Sequence, residues 1–346
     1  MNSQHYKTVI VGAGPSGISC GYTLLKNNEE CLLIDRKTFP RDKLCGGGLT
    51  PKTHILIDRI FDGIEYDYWG AKQLKIYYQQ KSICTFSLPM ELRTVLRKDF
   101  DNELLRRYQK KGGLFITDTI TRIEEQSGTI YLNLLSGKRL SCDYLIGADG
   151  VNSIVRKYIQ PGFKDRGIIC LEKAVPDRQS GDVQLYFDSD LGKGFLYVFP
   201  NHHGSMIGYG GEHTSVARFH RLLDKYDLTY NDKTKGAYIP MFDKFDYPFL
   251  KHILLIGDAG GYVDSMTGEG IYPAVKSGEN AALSIVYNSD FRVLNESVMK
   301  KTKKRMWMAR LFFRPSVQWL FPRMCKNRLL YKIINKKVSE AMSIAY

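Results

Sequence analysis

The 346-residue chain has no Cys-x-x-Cys pair among its seven cysteines, so neither a disulfide framework nor a zinc or iron–sulfur cluster is indicated. Reduced thiols in a cytosolic setting fit that usage better. No run of about 18 uncharged apolar residues occurs, which argues against a conventional transmembrane helix. The opening MNSQHYKTVIVGAG passes straight into a structured motif and leaves no room for a signal peptide. Low-complexity linkers and long internal repeats are lacking. The seven histidines, the adjacent His202 and His203 included, show no metal-like spacing, and no metal is expected. What is present, 43% hydrophobic and 25% charged residues with 31 Gly and 12 Pro, excludes a disordered or collagenous chain.

Acidic residues are scarce in one place only. Residues 291–346 hold 14 Lys and Arg against 2 Glu, while the rest of the chain holds 36 basic and 34 acidic side chains. Nearly all of the formal charge of +14 therefore belongs to the last sixth of the sequence. There Trp307, Phe312, Phe313, Trp319 and Phe321 alternate with Lys301, Lys303, Lys304, Arg305, Arg310, Arg314 and Arg323. Such a mixture suits an anionic membrane interface, with long cations snorkelling and Trp rings at headgroup level. It suits equally a set of terminal helices packed on a core with a solvated basic face. Nothing in it has the pattern of a nucleic-acid module.

Residues 8–11 read as a short strand, 18–26 as a helix, and 31–34 as a second strand ending at Asp35. Between the first two lie Gly12, Gly14 and Gly17 in VGAGPSG. Gly12 permits the tight turn, Gly14 lets backbone approach a pyrophosphate, and Gly17 allows close helix–strand packing. The helix N-terminus then presents free N–H groups and its positive dipole end. Asp35 falls 18 residues after Gly17, within reach of a ribose hydroxyl. Further on, KLCGGGLTP places three glycines behind Cys45, a pattern of close backbone approach or of a mobile loop. Residues 67–88 are strand-rich, 95–110 helical, and strands follow at 119–123, 129–134, 139–145 and 144–148. Residues 167–211 alternate and are aromatic, as in an antiparallel sheet. A helix over 218–226, a strand over 253–256 and a helix from Ile271 follow. The remainder reads as helical, broken near Pro315 and Pro322.

Three separated segments, Gly12-x-Gly14-x-x-Gly17, Gly147-Ala-Asp-Gly-Val-Asn-Ser-x-Val-Arg156 and Gly257-Asp258 with Thr267-Gly-Glu-Gly270, together resemble the FAD-dependent oxidoreductases of the para-hydroxybenzoate hydroxylase-like superfamily. Within it, Lys43-Leu-Cys-Gly-Gly-Gly-Leu49 and Asp264-Ser-Met-Thr-Gly-Glu-Gly-Ile271 resemble the geranylgeranyl reductase family. The resemblance spans about the first 285 residues. It implies an α/β fold: an FAD-binding Rossmann-like domain of the para-hydroxybenzoate hydroxylase type, an inserted antiparallel-sheet substrate domain, and C-terminal helices. The FAD-binding part is expected to be discontinuous, over 1–60, 90–165 and 250–290. The substrate part takes 61–89 and 166–249, and a basic, aromatic-rich helical region takes 291–346.

By the same resemblance, Gly12, Gly14, Pro15, Ser16 and Gly17 would face the FAD phosphates, with Asp35 and Arg36 at the adenosine ribose. Arg97 would approach the pyrophosphate, Asp149 would organise the cofactor-side loops, and Gly257 and Asp258 would meet the ribityl or pyrophosphate part. Gly268, Glu269, Gly270 and Ile271 would bring a helix N-terminus to N1 and O2 of the isoalloxazine, where reduction places negative charge. Cys45, Gly46 and Gly47 form the candidate catalytic segment beside the ring. Cys45 either orients substrate, assists proton delivery, or is a buried cysteine that spaces the loop. Related reductases carry Tyr-x-Trp-x-Phe-Pro at the substrate wall. Here Phe195, Tyr197, Phe199 and Pro200 stand in those places, and Ser265 replaces a common proline before the glycine turn. Phe195, Tyr197 and Phe199 share one strand face, either as that wall or as core.

The implied activity is reduction of carbon–carbon double bonds in a prenyl, geranylgeranyl-type or other apolar lipid. The substrate would be prenylated or phosphate-bearing, and electrons would come from NAD(P)H or a reduced electron-transfer protein. The implied location is cytoplasmic, peripheral on the membrane face. A flavin monooxygenase of an aromatic or polyketide-like substrate is the enzymatic rival, and a non-catalytic flavin-stabilised membrane-associated protein the rival from another class. The Trp-x-Trp-x-Ile-Pro signature of many halogenases is absent. A second nucleotide-binding motif is also absent, which does not choose between electron donors.

Overall fold

The apolar run near the amino terminus is a strand in the computed structural model, which describes residues 4–344 except 164–166, 177–179, 212–213, 229, 231–232, 241–246 and 248–249. That strand, β1 (Gln4–Val11), starts earlier than its apolar residues and feeds α1 (Pro15–Lys26) and β2 (Cys31–Asp35). Pro15 occupies the start of α1, where a missing N–H is harmless. The glycine loop leads to the two-residue β3 (Gly48–Leu49), α2 (Pro51–Ile60), and a long hairpin, β4 (Trp69–Tyr78) and β5 (Lys81–Thr94). Next come α3 (Arg97–Lys110), β6 (Leu114–Thr117), β7 (Ile120–Gln126), β8 (Thr129–Leu134), β9 (Arg139–Gly147) and α4 (Ile154–Ile159). Four strands, β10 (Ile168–Val175), β11 (Val183–Phe187), β12 (Phe195–Asn201) and β13 (Gly204–Gly210), precede α5 (Val216–Lys225) and β14 (Lys235–Ile239). The chain continues through β15 (Ile253–Leu255), α6 (Gly257–Gly260), α7 (Ile271–Val286) and α8 (Phe291–Leu294). It ends in α9 (Glu296–Phe312), α10 (Pro315–Lys326) and α11 (Arg328–Ser343).

The first sheet runs β6-β2-β1-β9-β8-β7, with β15 also on β9. Residues 139–145 and 144–148 are one strand rather than two. Its first half pairs antiparallel with β8 and its last residues pair in parallel with β15. Period-two alternation divides the sheet's apolar residues between two cores. Ile10, Leu33, Ile146 and Leu254 pack under helices α1, α2, α3 and α7. Val9, Leu32, Ile34 and Leu145 pack with residues of β7, β8 and α4.

The second sheet runs β14-β10-β13-β12-β11-β4-β5-β3. It is antiparallel apart from β11, which lies parallel to β4 and so departs from the all-antiparallel expectation. It also takes in Gly48 and Leu49 and extends to Thr94. One face is closed by α5, whose Phe219, Leu222 and Leu223 meet Leu196, Val198, Ile207 and Tyr209. On the other, Ala309 of α9, Phe313 at its C-cap and Cys325 of α10 pack against Leu74, Ile76 and Phe86. Pro315 opens α10, as the sequence suggests, but Pro322 lies inside it. A helix held on β5 tolerates the hydrogen bond lost there. The next break falls at Asn327, whose side chain accepts the first amides of α11.

Candidate functional site

The register sets β1, β9 and β15 side by side at their carboxyl ends: Val11 pairs with Gly147, and Gly147 with Leu255. All three glycine motifs therefore leave the same sheet edge, where ligands bind in open α/β sheets. Gly12, at φ +105°, lies against the Ala148 carbonyl so closely that no side chain fits. The Asp35 carboxylate, at the end of β2, accepts the amides of Ala13 and Lys37, both at 2.8 Å. Arg36 beside it is exposed. The N-cap of α1 is Gly14, with no side-chain acceptor for the first amides. The neighbour of that open position is Arg41, whose guanidinium lies 3.8 Å from where a Gly14 Cβ would stand. Phe39 supports Arg41 from one side, and Asp101 lies 3.4 Å away. Asp101 also holds Arg97 through two hydrogen bonds of 2.7 and 2.8 Å, so Arg97 is anchored within α3.

The third motif is fastened to the first. Gly257, at φ +57°, donates its amide to Ser277 at 3.0 Å, and a Cβ there would come within 2.8 Å of the Ser16 hydroxyl. Gly278 of α7 abuts the backbone of Ser16 and Cys20 on α1, next to Gly17. Arg156 of the second motif donates to the Ala259 carbonyl at 2.8 Å. Asp149 lies just ahead of α4, whose N-cap is Ser153. Its carboxylate accepts the Ser153 hydroxyl at 2.5 Å and the Ile154 amide at 2.7 Å. Burial raises its pKa, and those donors hold it down. Asp258 stays near the turn, 3.7 Å from where a Gly270 Cβ would be.

The turn before α7 is braced from three sides. Gly268 donates to the Asp264 carbonyl at 2.8 Å, and the Asp264 carboxylate accepts the amides of Met266 and Thr267. Arg305 of α9 brings Nε within 2.9 Å of the same carboxylate. Glu269 is neutralised by the buried Lys52 at 2.8 Å and accepts the Thr50 hydroxyl at 2.6 Å. The N-cap of α7, Gly270, has no side-chain acceptor, and Ile271 begins the helix without an acid in its first turn.

The aromatic row of β12 faces these glycines. Phe195 lies 3.8 Å from a Cβ built on Gly268. Phe199 and Tyr197 stand 3.0 and 3.1 Å from one built on Gly46, and Phe199 is 2.6 Å from one on Gly48. Leu196 and Val198 point the other way, beneath α5, so they and not the aromatic row are the core beneath that helix. The Pro200 carbonyl accepts the Thr94 hydroxyl. Cys45, half-buried, accepts the Gly47 amide at 3.4 Å. Sequence reading missed four residues that the fold brings here: Arg41, Lys52, Arg305 and Glu172. Their sequence signals are slight: for Arg41 and Lys52 a charge beside the glycine loop, for Arg305 a place in the basic tail, and for Glu172 an acid inside an apolar strand. Among the described residues no cluster of His, Cys, Asp and Glu is arranged to hold a metal.

These features fit FAD. The uncapped α1 end with Arg41 suits the pyrophosphate, and the free lone pairs of Asp35 suit a ribose. The uncapped α7 end suits the edge of the isoalloxazine that gains charge on reduction. Residues 115–207 match the family model described as an FAD binding domain. The chain is 29% identical over 304 residues to geranylgeranyl diphosphate reductase of Rhodobacter capsulatus, covering 80% of this chain and 74% of that one. It is 29% identical over 333 residues to digeranylgeranylglycerophospholipid reductase 2 of Methanothermobacter thermautotrophicus, covering 86% and 84%. The structure of a geranylgeranyl bacteriochlorophyll reductase-like protein from Thermoplasma acidophilum superposes with a TM-score of 0.73 at 18% identity, over 99% of this chain and 93% of that one. These matches define an FAD-dependent oxidoreductase with a Rossmann-type FAD-binding fold and an inserted sheet domain. The sequence is similar, over most of its length, to geranylgeranyl reductases.

Proposed function

We propose that this protein reduces carbon–carbon double bonds in the prenyl chain of a geranylgeranyl-type or other apolar lipid. The observation that carries this reading is the meeting of the Cys45–Gly48 loop, the Phe195–Tyr197–Phe199 row and the Gly268–Gly270 turn at one place. FAD, when bound, supplies the two-electron hydride chemistry. The chain's share is electrostatic and steric. The free amides at the start of α7 favour negative charge on the bound ring. The aromatic row offers an apolar wall that orients a chain and excludes water, which a poor hydride acceptor such as an isolated alkene requires. The reductases of Rhodobacter and Methanothermobacter, as named, support a prenyl substrate. NAD(P)H or a reduced electron-transfer protein supplies the electrons.

The basic tail adds a membrane to this reading. Phe312, Phe321, Tyr331 and Ile334 of the last three helices face the second sheet, while Trp307, Trp319, Leu320, Leu329 and Ile333 are exposed among cations. That outer surface rests on an anionic bilayer and brings the site to its lipid. No helix among the described residues is long and apolar enough to cross a membrane, so contact is peripheral.

The test is product mass after incubating the FAD-loaded protein with a reductant and geranylgeranyl diphosphate or a geranylgeranylated glycerophospholipid. Products heavier by two hydrogens per bond support the reading. Unchanged lipids, with oxygenated products from aromatic compounds instead, overturn it.

A further inference from the structure

Glu172 is 3% exposed, in the middle of β10. The sheet register pairs Glu172 with Gly208 and Gly208 with Tyr197. Acid and phenol thus flank a residue without a side chain. The Tyr197 ring crosses Gly208 so closely that any Cβ would overlap its hydroxyl end. That crossing lets the Tyr197 hydroxyl reach Glu172 Oε1. The Cys170 thiol lies 3.4 Å from the same hydroxyl, and Glu172 Oε2 is buried with no hydrogen-bond partner among the described residues. The Tyr197 ring also lies 3.1 Å from a Cβ built on Gly46, where the loop and the aromatic row come together.

Burial pushes the Glu172 carboxyl up to about 7 from the usual 4.5. Tyr197 on β12, the Cys45 amide, Arg97 on α3 and Lys43 before the glycine loop pull it down only in part. The acid therefore holds a proton in the neutral range. Burial, with Cys170 and Glu172 alongside, raises the Tyr197 phenol well above its usual value, so a lone tyrosinate is unfavourable there.

We propose that Tyr197, backed by Glu172, is the proton donor of the reduction. This rests on the reductase reading above. Bound, reduced FAD would supply the hydride for one carbon of each double bond. The π pair of that bond forms the second C–H bond with the Tyr197 hydroxyl proton. As that O–H bond breaks, the Glu172 proton passes to the phenol oxygen, and the carboxylate is later reprotonated by water. Tyr197, whose ring lies beside Gly46, is the catalytic residue of this proposal, while Glu172 acts through it as proton reservoir. The Cys45 thiol, which accepts the Gly47 amide, orients the loop instead.

Two measurements test this. Infrared difference titration of the oxidised, FAD-loaded protein should show a protonated-carboxyl band that disappears around pH 7 and is missing in E172Q. Anaerobic single turnover with geranylgeranyl diphosphate should fall as pH rises through 7. E172Q and Y197F should each lower that rate by about 100-fold or more and flatten its pH profile. FAD retention and circular dichroism show whether each variant folds, and the wild-type titration stands even if one does not. No protonated carboxyl at pH 6, or an E172Q profile parallel to wild type at similar rate, overturns the proposal alone. No turnover by wild type with geranylgeranyl diphosphate or the glycerophospholipid overturns the reductase reading, and the donor role with it.

Discussion

Arg305 ties the basic tail to the turn that precedes α7, and its removal should be felt at the FAD site. Asp264 is buried, and burial already raises its pKa. Arg305 is the main charge favouring the ionised form, with Lys52 helping and Glu269 opposing. Replacing Arg305 by Met keeps bulk but leaves that carboxylate unpaired, which costs about 3–5 kcal/mol. The same carboxylate accepts the Met266 and Thr267 amides, so its protonation loosens the turn. If about 1.4 kcal/mol of the loss appears at the turn, FAD binds about tenfold more weakly. The sign with pH follows from the raised pKa. In R305M the folded form holds its proton to higher pH than the unfolded chain, so stability falls as pH rises above the ordinary carboxylate range. The deficit should be larger at pH 8 than at pH 5. The assay is urea denaturation with fixed excess FAD, alongside FAD titration of the apoprotein. R305M/D264N should recover about 2 kcal/mol relative to R305M, because Asn keeps an acceptor for the turn without an uncompensated charge. Equal stability of R305M and the double variant would refute the reasoning.

Other substitutions probe other parts of the account. Asp35→Ala removes the acceptor of two backbone amides at the end of β2 and the acceptor proposed for the ribose, so FAD affinity should fall by about 10- to 100-fold in fluorescence titration, with Asp35→Asn losing less. In Gly208→Ala the new methyl collides with Tyr197. A cost of about 1–3 kcal/mol should appear in urea midpoints, and the Glu172 carboxyl band should shift. Because the Glu172 pKa is raised on folding, wild type should lose about 3 kcal/mol relative to E172Q between pH 4.5 and 7 and no more above it, and parallel urea-midpoint curves across that range would count against the assignment. Trp307→Ala/Trp319→Ala should weaken sedimentation with phosphatidylglycerol vesicles several-fold at low salt, while FAD content stays unchanged.

The cofactor part of the fold was legible because each of its demands falls on a short stretch of sequence. Gly12 needs its positive φ, Pro15 opens a helix, and Asp35 ends a strand, all within one unit. The aromatic alternation of 195–199 likewise announced a strand with two unlike faces. What the sequence could not display were pairings made by register and by distant helices. Glu172 and Tyr197 meet only because β13 places Gly208 between them. Arg305 reaches Asp264 only because α9 folds back across the second sheet. The parallel β11–β4 pair was hidden because both strands alternate in the same way whichever direction they run. Asp149, which its motif assigned to organising the cofactor-side loops, has its carboxylate engaged at the start of α4 by partners, Ser153 and Ile154, that lie within the same motif.

The most direct test of the central claim is an anaerobic one. The FAD-loaded protein is reduced with a stoichiometric donor, a geranylgeranyl lipid is added without oxygen, and flavin absorbance is followed together with product mass. The account predicts reoxidation of the flavin in step with a product two hydrogens heavier for each bond reduced. A flavin that stays reduced until air is admitted, and then yields a product one oxygen heavier, would contradict it.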